Sequence, residues 1–109
     1  MNADLTSIPI QPHTQEFLPK SRVYNWPNPV YGKSTHIRYY SPEDANVVVT
    51  IIDLSGVKIT ELKGRGTAGM DNEILWNVSN IQSGVYLARI EAKGATQNSS
   101  AIIKIAVVK

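Results

Sequence analysis

A rhythm of two constrains this chain most. Between residues 23 and 108, short stretches alternate between apolar or β-branched side chains and polar ones, and a turn signal closes each stretch. Thr35-His36-Ile37-Arg38-Tyr39-Tyr40 puts Thr35, Ile37 and Tyr39 on one face and His36, Arg38 and Tyr40 on the other. Val47 to Ile52 is β-branched throughout, with Val47, Val49 and Ile51 inward. Val57 to Leu62 returns after the tight turn Asp53-Leu54-Ser55-Gly56. Asn72 to Asn77 carries Ile74 and Trp76 on one face. Ser83-Gly84 opens the strand Val85 to Ala92. There Arg89 marks the solvent side, so Tyr86, Ala88 and Ile90 point inward. Ser100 to Val108 sets Ile103, Ile105 and Val107 against Ile102, Lys104 and Ala106. With Val23 to Trp26 this makes about seven strands, and no useful length shows helical periodicity. The expected fold is all-β, an antiparallel sandwich in which two sheets bury Ile37, Val49, Ile51, Trp76, Tyr86 and Ile105. A buried tyrosine needs a partner for its hydroxyl, so Tyr86 should pin its sheet to a neighbouring loop.

The connections are read from Gly, Pro, Asn, Asp and Ser. Ser41 to Asn46, Gly64 to Gly69, Asn77 to Ser83 and Gly94 to Ser99 are all expected as polar loops or turns. Residues 1–22 read as a linker or leader, with Pro9 and Pro12 favouring extended backbone and room for a short edge strand around Leu5 to Ile10. Residues 23–109 read as the domain. Pro27 and Pro29 stiffen Val23 to Val30. That segment should lay its aromatic side chains over the end of the core as a lid; an exposed Trp-Pro ligand platform is the alternative.

Composition removes several function classes. With 109 residues, 42% hydrophobic and 18% charged, the chain can bury a core and is not charged enough to stay unfolded. The eleven Lys and Arg against nine Asp and Glu give a net charge of +2 and are scattered singly, so no nucleic-acid face is expected. There is no cysteine, hence no disulfide or thiolate metal site. No run approaches the roughly 18 apolar residues of a membrane-spanning helix, and Met1 to Ile10 lacks the pattern of a signal peptide.

No catalytic constellation emerges. Gly64-Arg65-Gly66-Thr67-Ala68-Gly69 matches the dinucleotide fingerprint in letters. The residues after it read as strand, however, and the fingerprint needs a helix N-terminus to hold the pyrophosphate. His13 and His36 have no acidic neighbours at metal-ligand spacing. Ser55-Gly56 and Ser83-Gly84 lack the context of a nucleophile elbow. Glu43-Asp44 and Asp71/Glu73 lie in or beside turns, where solvation is the ordinary state, and no loop holds enough carboxylates for calcium. No cofactor, metal or enzymatic activity is expected.

Several blocks carry a family resemblance. Trp26-Pro27-Asn28-Pro29, followed by Thr35, Ile37 and Tyr39, resembles the opening of a bacterial immunoglobulin-like family. Val49 to Gly56, Trp76-Asn77 and Ser83-Gly84-Val85-Tyr86-Leu87 resemble its later blocks. The ending Lys104-Ile105-Ala106-Val107-Val108-Lys109 looks like that of the C-terminal sorting domains of the type IX secretion system. The first blocks are shared with the immunoglobulin-like domain of the flagellar hook-capping protein. Trp26 stands for the family's usual Tyr, and Asn77 for its Asp. The resemblance implies an immunoglobulin-like sandwich that ends a larger exported protein, secreted or at the cell surface. Its partners would be the outer-membrane secretion machinery and the preceding domains of the same polypeptide. It also implies that Lys104, Val107, Val108 and Lys109 are the recognition residues, on an edge strand with unpaired backbone groups. A structural or adhesion module that binds protein or carbohydrate, or a hook-assembly scaffold, is the rival reading. A sugar face would need Trp26, Tyr31 and Tyr40 on one surface.

Overall fold

The computed structural model describes residues 22–109. They form seven strands: β1 (Val23–Trp26), β2 (Ser34–Ser41), β3 (Ala45–Asp53), β4 (Lys58–Gly66), β5 (Met70–Asn77), β6 (Gly84–Gly94) and β7 (Asn98–Val107). β1, β2 and β5 make a three-stranded sheet. β4, β3, β6 and β7, in that spatial order, make a four-stranded one. Neighbouring strands pair antiparallel throughout. The chain changes sheet between β2 and β3, between β4 and β5, and between β5 and β6. This is the expected all-β, immunoglobulin-like sandwich.

Alternation decides what is buried. Ile37 and Tyr39 of β2 and Ile74 and Trp76 of β5 face Val47, Val49 and Ile51 of β3, Tyr86, Ala88 and Ile90 of β6, and Ile105 and Val107 of β7. Removing each branched or aromatic side chain from water contributes roughly 1.5–3 kcal/mol. Trp76 meets Tyr86 edge to face, with ring centroids 5.7 Å apart and planes at 78°. The Tyr86 hydroxyl donates to the Gln82 carbonyl at 2.7 Å, so the expected pin exists and has the form of a tyrosine corner. Tyr39 makes a second pin, donating to the Arg65 carbonyl of the opposite sheet at 2.8 Å. Burial pushes its phenol pKa up to about 12.

Three expectations need correction. The loop placed at Gly64 to Gly69 begins later, because β4 continues through Gly66. Gly64 and Gly66 are there for close approach: a Cβ on Gly64 would lie 2.7 Å from Ile74 Cδ1, and one on Gly66 2.8 Å from Ser41 Cβ. The loop between β5 and β6 is not wholly polar, since Val78 is fully buried in the core. The third correction concerns the aromatic lid. Val23 pairs with Tyr39 and Asn25 with Ile37, so it is Val23 and Asn25 that point inward. Tyr24 and Trp26 consequently face solvent, and Trp26 is 69% exposed. The linker reading of residues 1–22, with its edge strand at Leu5 to Ile10, lies outside the described residues except for Arg22. Arg22 packs 3.9 Å over the Tyr40 ring and pairs with Asp71 at 2.9 Å.

Candidate functional site

The tail residues are built into the fold, each in a different way. Lys104 is exposed on β7 and Val107 is buried in the core. Val108 is 41% exposed. Lys109 folds back over the loop after β5: its amide donates to Ser83 Oγ at 2.8 Å and its Nζ to the Val78 carbonyl at 2.6 Å. Of these four residues, Lys104 and Val108 are the two whose exposed side chains the fold does not otherwise engage.

The backbone edge itself is occupied. β7 pairs with β6 on one side and is the last strand of its sheet on the other. Along Lys104 to Val108 the segment after β1 fills that open side. The Asn28 side chain donates from Nδ2 to the Lys104 carbonyl at 3.0 Å and accepts at Oδ1 from the Ala106 amide at 3.0 Å. Val30 donates to the Ala106 carbonyl at 2.7 Å and accepts from the Val108 amide at 2.9 Å. It also forms a parallel bridge with Val107. The logic lies in the sequence Pro27-Asn28-Pro29. Proline has no amide to offer, so the carboxamide of Asn28 imitates a peptide group and continues the ladder. Both prolines follow cis peptide bonds. The expected unpaired edge is therefore absent at Lys104 to Val108: four of its backbone groups already have partners.

Two buried polar residues shape the approach to this clasp. Asn25 Nδ2 and Thr35 Oγ1 both donate to the Pro27 carbonyl, at 3.3 and 2.9 Å, and Asn25 also donates to Thr35 Oγ1 at 3.1 Å. Satisfying these groups inside the core fixes the path of Trp26 to Pro29. Asn25 carried no motif that would mark it as structural, and Asn28 stood in the block Trp26-Pro27-Asn28-Pro29 with no sign of its partners on β7. The readable signal was an asparagine between two prolines.

A second arrangement lies on the outer face of the three-stranded sheet. Register places Trp26, His36 and Leu75 side by side, and Tyr24, Arg38 and Glu73 in the adjacent row. Glu73 accepts from Arg38 Nε at 2.9 Å and meets His36 Nδ1 at 2.8 Å. Desolvation is the largest single influence and pushes its carboxyl up, but the contacts with Arg38 and His36 together outweigh it and hold the carboxyl below the usual range. The Tyr24 hydroxyl, then Glu73, raises the Arg38 pKa. The five residues Tyr24, Trp26, His36, Arg38 and Glu73 line a groove of about 300 Å³. The three-aromatic face of Trp26, Tyr31 and Tyr40 does not form, because Tyr40 is only 8% exposed beneath Arg22. Among the described residues, no three His, Asp or Glu side chains converge as a metal-ligand set, and no helix is long and apolar enough to cross a membrane.

Comparison with known proteins speaks to the whole sandwich. Residues 24–104 match the family described as "Secretion system C-terminal sorting domain". No curated protein and no solved structure matches the chain. The match runs from β1 into β7 and takes in Lys104, whereas Val107, Val108 and Lys109 lie beyond it. Domains of this family mark proteins for export and are recognised by the secretion machinery. The chain belongs to the C-terminal sorting domains of the type IX secretion system.

Proposed function

We propose that this domain is a non-catalytic sorting and surface-attachment module, carrying the polypeptide that precedes it to the outer-membrane machinery and on to the cell surface. The observation that carries this reading is the family match across nearly the whole sandwich. Residues 1–22 act as the linker to the cargo, and residues 23–109 as the module. The recognised element is the end of β7 and its tail, with Lys104, Val107, Val108 and Lys109 in different roles. Lys104 and Val108 face the receptor. Val107 and Lys109 hold the tail in place, one in the core and the other on the carbonyl of Val78.

Of two capture modes, strand addition and surface docking, the closed edge at Lys104 to Val108 favours docking. A receptor strand would first have to displace Asn28 and Val30. A receptor that reads side chains meets no such obstacle. The test is export of a reporter fused to residues 1–109 in a host that has the secretion system. Lys104→Glu combined with Val108→Asp should abolish export while the purified domain keeps its melting transition. Normal export of that folded variant would reject this assignment of the tail.

A further inference from the structure

We propose that the groove on the outer face of the three-stranded sheet binds a neutral hexose unit of a glycan, with Trp26 as its stacking platform. This stands apart from the sorting reading and uses none of the tail residues, and it differs from the three-aromatic sugar face, which does not form: here one exposed indole and the polar groups beside it replace Tyr31 and Tyr40.

Trp26 offers the strongest feature. The residue is 69% exposed, and Tyr24, in the adjacent row, is 45% exposed. An exposed aromatic face carries negative charge density, which attracts the C–H bonds on the flat, apolar side of a sugar ring. The backbone under the platform is also held in place before any ligand arrives. The Pro27 carbonyl, one residue on, accepts from both Asn25 and Thr35 in the interior. Backbone ordering is thereby removed from the cost of binding.

The polar groups select the class of ligand. Arg38 and Glu73 pair with each other, so their charges cancel locally. An anion would meet the Glu73 carboxylate and a cation the Arg38 guanidinium, and neither gains a net complementary field. A neutral polyol suits both groups, since each hydroxyl can donate to Glu73 or accept from Arg38. Glu73 occupies Nδ1 of His36, which leaves Nε2 on the far side of the ring for a hydroxyl. The Trp26 indole N–H, which has no partner among the described residues, adds a donor at the rim.

Size agrees with one ring. Neighbouring strands lie about 5 Å apart and successive residues on one face about 7 Å apart, so three columns and two rows cover roughly 10 by 7 Å. The groove volume of about 300 Å³ is at the small end for ligand sites.

The test is a nuclear magnetic resonance titration of the full chain with the methyl glycosides of glucose, mannose and galactose, and with maltotetraose and cellotetraose. At least one should shift the Trp26 indole N–H and the amides of Tyr24, His36, Arg38 and Glu73, while the buried Trp76 indole stays still. Trp26→Ala should weaken that binding by about tenfold. Glu73→Gln, which keeps the side-chain shape and leaves the core untouched, should weaken it as well. Absence of shifts across the neutral panel would overturn the proposal. So would stronger binding of glucuronate or glucosamine, shifts with a proline-rich peptide instead of sugar, or unchanged affinity in both variants.

Discussion

The two edges of the four-stranded sheet solve one problem in different ways. β4 borders solvent with Lys58, Glu61, Lys63 and Arg65 exposed along it, and charge discourages another strand from pairing there. β7 carries a covalently attached cover instead: Asn28 and Val30 occupy the backbone groups of Lys104, Ala106 and Val108. Charge protects an edge without fixing its shape. A hydrogen-bonded cover does both, and it ties the start of the sandwich to its end. The edge proposed for recognition is thus the one whose conformation is fixed.

Breaking the β7 side should be far more damaging than altering the β4 side. Deleting residues 107–109 removes a core side chain and several hydrogen bonds, a loss of roughly 3–5 kcal/mol by denaturant titration. Lys63→Ser on β4 should stay within about 0.5 kcal/mol of the parent. Equal losses from the two changes would remove the distinction between the edges.

Asn28→Ala sharpens the comparison. It deletes both side-chain bonds to β7 and should cost about 1–2 kcal/mol in the same titration. Asn28→Asp keeps the acceptor for the Ala106 amide and loses the donor to Lys104, so it should fall between the two. Tyr39→Phe tests the bond that ties β4 to the opposite sheet. Losing the 2.8 Å contact with the Arg65 carbonyl should cost about 1 kcal/mol.

The smallest effect concerns pH. Glu43 accepts from the Thr96 hydroxyl and, at 2.9 Å, from the Thr96 amide, and these bonds hold its carboxyl below the usual range. The side chain of Ser55, then the Val57 amide, does the same for Asp53. A depressed folded-state value means that the stabilising contribution is present above the unfolded value and is lost as pH falls through the folded one. Melting temperature should therefore decline slightly below about pH 4.5. Glu43→Gln should flatten part of that decline, and an unchanged slope would remove Glu43 from the explanation.

Strands and faces were legible because one rule, alternation, governs Thr35 to Tyr40, Val47 to Ile52 and Val85 to Ala92 alike. Tyr86 was legible too, since a buried phenol requires an acceptor. Gly64 and Gly66 misled because glycine marks both turns and close approaches, and only the positions of Ile74 and Ser41 tell them apart. Trp26 misled because large apolar side chains usually point inward, whereas the pairing of Asn25 with Ile37 sends it outward. Asn28 was hidden for a different reason. Its partners are 76 and 78 residues away, and no local pattern reports a contact that distant.

Backbone amide exchange along β7 gives the most direct test. Even-numbered residues of this strand point their amides away from β6. Ala106 and Val108 meet the cover, while the amide of Ile102, beyond its reach, has no partner among the described residues. The expected result is strong protection at Ala106 and Val108, rapid exchange at Ile102, and loss of Ala106 protection in Asn28→Ala with Ile105 unchanged. Ala106 exchanging as fast as Ile102 in the parent protein would contradict the account.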